Sequence, residues 1–188
     1  MWHVREPPPD QGVRTAMIRR IMLAAPRCVF ITEYDKRAWI GDAPARIIYN
    51  SVPDTWFERT PPARGRNDDG AVRFAYLGGF AAAKGARVLL EALRILQRTQ
   101  GGWECVMPGC LADARYARKD RLVKRVARAL GVPDPARSYV TEYSELAPAV
   151  VLQPFCTDIA GFLETVDFIV FPATLPHFPR PVIEAAAL

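Results

Sequence analysis

The sequence predicts an α/β fold in which a mostly parallel, Rossmann-like sheet is flanked by helices. Three observations favour this fold class. Short apolar runs rich in Val, Ile, Phe and Tyr alternate with longer stretches of helical periodicity, as in successive βαβ units. A turn or helix-start signal follows each apolar run. The chain of 188 residues is half apolar, with 10% aromatics, which is enough for a buried core.

The first part of the chain carries few regular elements, expected at residues 13–25 (helix), 29–32 and 47–49 (strands). These elements are too few for a complete domain. A segment rich in Pro, Arg and Asp over residues 57–70 then predicts a surface loop. We therefore expect residues 1–52 to be the end of one domain with its linker, and residues 53–188 to form a second domain.

The second domain is expected to contain five strands of one sheet. They lie near residues 72–76, 104–107, 138–141, 150–152 and 168–171. A helix is predicted over residues 84–98, because apolar side chains recur at helical spacing on one face and a pair of glycines follows. Further helices are expected to end at Leu130, to follow Asp158, whose carboxylate can cap the next amides, and to begin after Pro181.

Sequence signals exclude several classes of protein. No apolar run approaches the roughly 20 residues that cross a bilayer, and the start lacks the apolar core of a signal peptide, so a cytoplasmic protein is expected. Contact with a membrane surface stays open. The four cysteines form no C-x-x-C pair and the two histidines lie far apart, so neither disulfides nor a zinc site is predicted. The sequence ends a turn or two into its last helix, and we expect it to be part of a longer protein.

The net charge of +5 owes much to Arg and Lys residues within one expected helix, residues 115–128. Leu122 and Val126 supply a buried face at helical spacing, which favours a solvated basic face. The alternatives are binding to anionic lipid headgroups or to nucleic acid. Nucleic acid is disfavoured because Tyr116 is the only aromatic residue of this stretch and no nucleic-acid motif is present.

A glycine-rich loop is the strongest local candidate for chemistry. Gly78 and Gly79 follow a predicted strand, and Lys84-Gly85 precedes the helix. Two glycines let the backbone approach a ligand, the helix N-terminus presents free amides, and Lys84 adds a full charge, a combination that suits a diphosphate. The alternatives are a tight turn and a solvated lysine. Neither a Walker loop nor a G-x-G-x-x-G fingerprint occurs, which disfavours kinases, ATPases and dehydrogenases.

A second candidate is the proline-rich loop that follows the last predicted strand. It leads through Arg180 into a helix that carries Glu184 one turn from its start. Glu184 would either complement the helix dipole or accept a hydrogen bond from a sugar hydroxyl. Because ligands of open parallel sheets bind outside the carboxyl ends of the strands, Lys84, Arg180 and Glu184 are predicted to be neighbours.

These segments, in this order, resemble the retaining sugar-nucleotide glycosyltransferases of family 4, which have the two-Rossmann-domain (GT-B) fold. Five landmarks carry the resemblance, at residues 47–53, 77–85, 107–109, 158–172 and 181–185. In that family they correspond to the linker into the donor domain, its first glycine loop, the end of its next strand, a short helix with the following strand, and a helix start of the type Pro-Val-Ile-Glu-Ala. The resemblance extends through almost the whole chain.

The resemblance implies both the domains and the reaction. Residues 1–52 would be the C-terminal part of the acceptor domain, and residues 53–188 the nucleotide-sugar (donor) domain. The reaction would transfer a sugar from a nucleotide-diphosphate donor to the hydroxyl of a glycan, lipid or small-molecule acceptor, with retention of configuration. No metal and no cofactor would be required. His3 and Arg5, in a segment that resembles an acceptor-domain strand near the cleft, are the candidates for the acceptor side.

The resemblance also assigns roles to residues of the donor side. Lys84 would neutralise the diphosphate beside the backbone of Gly78 and Gly79, and Glu184 would hold the ribose of the nucleotide. Lys84 and Glu184 are therefore the catalytic candidates.

The chain departs from the family pattern at two positions. Where the family has a first glutamate in the last loop, this chain has Pro176, so either His177 takes over a polar role or the sugar is held differently. Where the family commonly has an arginine in the glycine loop, this chain has Gly79, and Arg180 is the candidate replacement cation.

Three other interpretations stay open. The two departures are compatible with a degenerate or truncated protein that binds a nucleotide sugar without turnover. A peripheral-membrane or scaffold domain that uses the basic residues 115–128 would instead bind liposomes in a salt-dependent way. An unrelated Rossmann-like enzyme would have to produce the ordered landmarks by chance.

Overall fold

The computed structural model describes residues 2–4, 7–8, 11–25, 27–59, 70–111, 135–176 and 178–188. The chain divides into two compact units. The first unit comprises Met1–Val52 with Pro176–Ile183, and the second comprises Pro53–Leu175 with Glu184–Leu188. No helix in the described part of the chain is long and apolar enough to cross a membrane.

The first unit contains a parallel sheet of three strands in the order β1-β2-β3. The strands are β1 (Trp2–Val4), β2 (Cys28–Phe30) and β3 (Arg46–Ile47). Helix α1 (Val13–Ala24) connects β1 to β2, and helix α2 (Glu33–Ile40) connects β2 to β3. The predicted helix and both predicted strands are confirmed, with small shifts of their ends. Helix α2 is an addition that the sequence analysis missed, although the side chain of Thr32 caps it by accepting a hydrogen bond from the Asp35 amide at 2.9 Å.

The second unit contains a parallel sheet of four strands in the order β6-β5-β4-β7. The strands are β4 (Val72–Ala75), β5 (Trp103–Pro108), β6 (Val150–Gln153) and β7 (Phe168–Ile169). Its helices are α3 (Ala86–Thr99), α4 (Pro135–Ser144) and α5 (Ile159–Leu163), and helix α6 (Arg180–Ala186) follows β7. The predicted α/β class with a parallel sheet and flanking helices is therefore confirmed.

Each face of the second sheet packs against a different set of side chains. Cys105 of β5 pairs with Phe74 of β4 and with Val150 of β6, and this row packs beneath helix α3. The next residue of β4, Ala75, points to the opposite face and packs with Leu163 and Val166. Side chains alternate between the two faces of a strand, so one face of the sheet packs against α3 and the other against the residues around Leu163 and Val166.

Helix α3 confirms the prediction from helical periodicity. It begins at Ala86, after a 3-10 turn over Ala82–Lys84, rather than at residue 84. Leu89, Leu90 and Leu93 are at most 5% exposed and form the centre of the core. The short helix predicted after Asp158 is confirmed as α5. The Asp158 carboxylate caps it by accepting a hydrogen bond from the Gly161 amide at 3.0 Å.

The predicted strand at residues 138–141 is wrong, because these residues lie within helix α4. The run Ser-Tyr-Val-Thr favours a strand locally, but tertiary packing decides its conformation. Tyr139 and Tyr143, one helical turn apart, both face Phe80, while Glu142 pairs with Arg94 of α3. The helix predicted to end at residue 130, and with it the basic run 115–128, lies outside the described residues.

Replacement of Leu93 by Ala tests the packing of α3. The variant is expected to lose about 2–5 kcal/mol of unfolding free energy, because a fully buried leucine leaves a cavity. Ile95→Ala, on the same helix but 62% exposed, is the matched control and should change stability by less than about 0.5 kcal/mol. Urea unfolding measures both variants. Equal losses would show that α3 does not pack as described.

Candidate functional site

Two loops meet at the carboxyl ends of the neighbouring strands β4 and β7. The glycine loop, residues 76–85, follows β4, and the β7 loop, residues 170–175, follows β7. The Thr174 amide donates a hydrogen bond to the Ala83 carbonyl at 3.1 Å, and the Thr174 hydroxyl donates one to the Ala82 carbonyl at 3.3 Å. Ligands of parallel sheets bind at this edge, so the joined loops form the candidate site.

Gly85 is the point of closest approach between the two loops. Its φ of +83° lies in the left-handed region, and a Cβ at this position would lie 1.8 Å from the carbonyl oxygen of Pro172. A side chain is therefore excluded by both backbone conformation and space. The glycine lets the start of α3 lie directly against the β7 loop.

The other two glycines of the loop have different surroundings. A Cβ on Gly78 would lie 2.2 Å from the ring of Tyr76, so the backbone passes directly over that ring. Gly79 has a φ of +60°, and within the described part of the chain no atom lies within 4 Å of the place where its Cβ would be. The described residues therefore leave space for a ligand beside the loop at Gly79.

Tyr76 supports the loop from beneath. Its side chain is fully buried, and its hydroxyl donates a hydrogen bond to the Lys84 carbonyl at 3.0 Å. Burial, with smaller contributions from Cys110 and Tyr139, raises the pKa of Tyr76 well above its usual range. The hydroxyl thus stays protonated at neutral pH and remains a donor to the loop.

Helix α4 supports the loop from the side. Phe80 stacks on Tyr139, with ring centroids 5.6 Å apart and planes at 14°. Its ring also lies 5.7 Å from that of Tyr143, whose hydroxyl donates a hydrogen bond to the Ala86 carbonyl at the start of α3. These aromatic supports were missed in the sequence analysis. The spacing of Tyr139 and Tyr143 at i and i+4 was the available signal.

Lys84 supplies the positive charge of the glycine loop. It ends the 3-10 turn, is partly exposed, and forms no ion pair with a carboxylate among the described residues. Arg87, one turn further on, is instead paired with Glu91 at 3.0 Å and with Glu142 at 3.2 Å. Arg87 is thus already paired with two carboxylates, whereas Lys84 has no such partner in the part of the chain that the structure describes.

The start of α3 adds backbone donors to this charge. Gly85 precedes the helix, and no side chain of the described residues accepts a hydrogen bond from its first amides. The first four amides of an α-helix have no partner within the helix, and the positive end of the helix dipole lies there. An anion of the size of a phosphate suits such an end. Lys84, the amides of α3 and the open backbone at Gly79 therefore favour an anionic ligand.

The remaining predicted site residues have varied surroundings. Glu184 of α6 is buried, with 5% exposure, and takes part in polar interactions of its own. Arg180, the first residue of α6, is exposed and also has an interaction partner. Glu184 belongs to the second unit with Lys84, whereas Arg180 groups with the first. His3 is exposed on β1 of the first unit.

Two of the predicted residues, Arg5 and His177, lie outside the described residues.

Two buried cysteines supply no nucleophile at neutral pH, because burial raises the pKa of both Cys105 and Cys110 to about 12. No group of three His, Cys, Asp or Glu side chains that could hold a metal ion occurs within the described ranges.

The fold is similar to that of several solved glycosyltransferases. Anabaena HepE in complex with UDP and glucose has a TM-score of 0.68 and 16% identity, over 99% of this chain and 50% of HepE. A glycosyltransferase from Rickettsia africae has a TM-score of 0.58 and 18% identity, over 95% of this chain and 46% of that one. TarM has a TM-score of 0.61 and 14% identity, over 97% of this chain and 32% of TarM.

This likeness shows that the chain has the α/β architecture of GT-B glycosyltransferases. The chain spans about half the length of HepE and of the Rickettsia enzyme, and less of TarM. A second HepE structure, in complex with UDP-glucose, matches with a TM-score of 0.65 and 18% identity, over 98% of this chain and 50% of HepE. No protein-family model and no curated protein matches the sequence.

Alanine at two glycines tests the contact between the loops. Gly79→Ala adds only the strain of a left-handed residue, so a loss of about 1–2 kcal/mol of unfolding free energy is expected. Gly85→Ala adds the collision with Pro172 to the same strain, and overpacking of about 1–3 kcal/mol brings the expected loss to about 2–5 kcal/mol. Guanidinium unfolding compares the two. A Gly85 variant as stable as the Gly79 variant would contradict the close approach of the loops.

Proposed function

We propose that this chain is part of a retaining glycosyltransferase of the family 4 type, which transfers a sugar from a nucleotide-diphosphate donor to an acceptor hydroxyl. The observation that carries the proposal is the glycine loop at the carboxyl edge of the sheet. There Lys84, which has no carboxylate partner among the described residues, lies together with the open backbone at Gly79 and the start of α3. The similarity to HepE, solved with UDP and with UDP-glucose, supports a nucleotide sugar as ligand.

The donor diphosphate is assigned to the glycine loop. As the bond between sugar and phosphate breaks, negative charge develops on the diphosphate. Lys84 and the first amides of α3 would stabilise this charge from positions that are already fixed before the ligand binds. The hydroxyls of Tyr76 and Tyr143 hold the Lys84 and Ala86 carbonyls, so the donors need little rearrangement when the ligand arrives.

The nucleoside is assigned to Glu184. A buried carboxylate can accept hydrogen bonds from two vicinal ribose hydroxyls, which are donors of the right spacing. Arg180 would add a second cation for the diphosphate, and His177 a polar contact to the sugar. Because Lys84 and Arg180 would balance the charge of the diphosphate, the reaction would need neither a bound metal ion nor a cofactor. The acceptor proton would pass to the leaving phosphate.

The same proposal assigns a role to each part of the chain. Residues 53–188 would be the donor domain, and residues 1–52 the C-terminal part of the acceptor domain. His3 and Arg5 would then lie on the acceptor side, where a glycan, a lipid or a small molecule presents its hydroxyl. Nucleic acid is not among the proposed partners.

A second candidate function is binding of a nucleotide sugar without turnover. Two features favour it. Gly79 has a left-handed backbone conformation in which an L side chain would be strained. This position of the loop therefore supplies no charge for the diphosphate. Pro176, which has no polar side-chain atom, occupies the position of the family's first glutamate. Release of sugar from UDP-glucose to an acceptor separates the two candidates, since binding alone produces no transfer.

Lys84→Ala tests the diphosphate site. Loss of a charge-assisted contact of about 1.5–3 kcal/mol should weaken UDP binding by about tenfold or more. Arg98→Ala removes the same charge from the opposite end of α3 and serves as the matched control, with unchanged affinity expected. Isothermal titration calorimetry with UDP measures both. The site assignment fails if the two variants bind UDP as tightly as the wild type.

Glu184→Gln separates the nucleoside contact from the diphosphate contact. Replacing the carboxylate by an amide should weaken UDP binding by about tenfold, because a hydrogen bond to a charged acceptor is lost. Inorganic pyrophosphate, which has no ribose, should bind the variant and the wild type equally. Thermal unfolding shows whether the buried substitution preserves the fold. A parallel loss of UDP and pyrophosphate affinity, with the fold intact, would assign Glu184 to a different role.

A further inference from the structure

Arg87 is the second residue of helix α3 and lies in its first turn, where the free amides of the helix are. Its guanidinium is held by two carboxylates, at 3.0 Å from Glu91 on the same helix and at 3.2 Å from Glu142 of α4. The side chains of Arg87 and Glu91 are 54% and 60% exposed. Ion pairs of exposed side chains contribute little to stability, so a ligand with more negative charge can compete for this guanidinium.

The guanidinium of Arg87 lies on the side of the glycine loop that carries Gly79. Phe80, the next residue of the loop, stacks on Tyr139 of α4 with ring centroids 5.6 Å apart. Glu142, the partner of Arg87, follows Tyr139 by three residues, and residues at this spacing lie side by side on the surface of a helix. Arg87 and Phe80 therefore contact the same stretch of α4, beside the space that the described residues leave at Gly79.

Glu142 keeps other hydrogen-bond donors when Arg87 leaves it. Its carboxylate also accepts hydrogen bonds from the Arg94 guanidinium at 3.2 Å and from the Ser138 hydroxyl at 3.0 Å. Glu91 is exposed, so water can solvate its carboxylate. Breaking an ion pair is costly where it leaves a charge buried and unpaired, and neither carboxylate is left in that state.

We propose that Arg87 is a further cation for the donor diphosphate, and that ligand binding draws its guanidinium away from Glu91 and Glu142. The proposal rests on the assignment of the diphosphate to the glycine loop. A diphosphate carries more negative charge than Lys84 alone balances, and an arginine donates two parallel hydrogen bonds to phosphate oxygens. Helix side chains incline towards the N-terminus of their helix, so a change of rotamer brings the guanidinium to the first amides of α3.

An arginine that only joined α3 to α4 would respond differently to substitution. Its replacement would lower stability and leave anion binding unchanged, and removal of its carboxylate partner would do the same. If Arg87 binds the diphosphate, Glu142 competes with the ligand for the guanidinium. Removal of the Glu142 carboxylate then strengthens anion binding, which a purely structural ion pair does not predict.

Titration calorimetry with UDP and with inorganic pyrophosphate tests the contact. Arg87→Gln should weaken the binding of both ligands by about fivefold or more, because the lost hydrogen bonds go to the diphosphate that the two ligands share. Arg98→Gln removes the same charge from the last turn of α3 and is the matched control, with a change of less than about twofold expected. Circular dichroism checks that both variants are folded.

Replacement of the competing carboxylate should have the opposite sign. Glu142→Gln should strengthen pyrophosphate binding by about two- to fivefold. Glu145→Gln is its control on α4, since Glu145 pairs with Arg94 at 3.6 Å, and it should change the affinity little. In the Arg87→Gln background Glu142→Gln should give no gain, because the guanidinium for which it competes is gone. A gain that persists in that background would reflect repulsion between Glu142 and the anion, and would overturn the proposal.

The outcomes distinguish this proposal from the proposed function. Loss of affinity in Arg87→Gln, with a gain in Glu142→Gln that depends on Arg87, is the expected result. If Lys84→Ala weakens UDP binding and Arg87→Gln does not, the diphosphate site stands and Arg87 only joins α3 to α4. If neither variant loses affinity, or the wild-type protein does not bind UDP, the diphosphate site is wrong and this proposal fails with it.

Discussion

The close approach of two loops is the constraint on which the candidate site depends. Gly85 lies against the Pro172 carbonyl, and Thr174 closes the contact with two hydrogen bonds. Because β4 and β7 are adjacent parallel strands, this contact fixes Lys84 and the start of α3 at the carboxyl edge of the sheet. Tyr76 then holds the Lys84 carbonyl from beneath. A charge, free amides and an open backbone thus come together because a single position carries no side chain.

Much of the fold could be predicted from the sequence, because most elements carry strong local signals. The periodic leucines of α3 and the capping carboxylate of Asp158 identified their helices, and the apolar runs identified β4 to β7. Residues 138–141 were assigned wrongly because β-branched and aromatic residues favour strands locally. Packing of Tyr143 against the start of α3, a contact between residues far apart in sequence, makes that segment helical.

The candidate site was predictable only in part. The motif of glycines and a lysine makes Gly78, Gly79 and Lys84 candidates, since these residue types at this spacing suit a phosphate ligand. The burial of Glu184 and the support of the loop by Phe80 depend on long-range packing, which no local pattern encodes. The open space beside Gly79 likewise became visible only with the backbone in place.

A crystal structure of the protein with UDP tests the central claim most directly. If the glycine loop holds the donor, the diphosphate oxygens will lie within hydrogen-bonding distance of the Lys84 Nζ and of backbone amides of residues 78–88. The β7 loop will then border the same ligand, and Glu184 will contact the ribose. UDP bound at another edge of the sheet, with Lys84 still in solvent, would contradict the account.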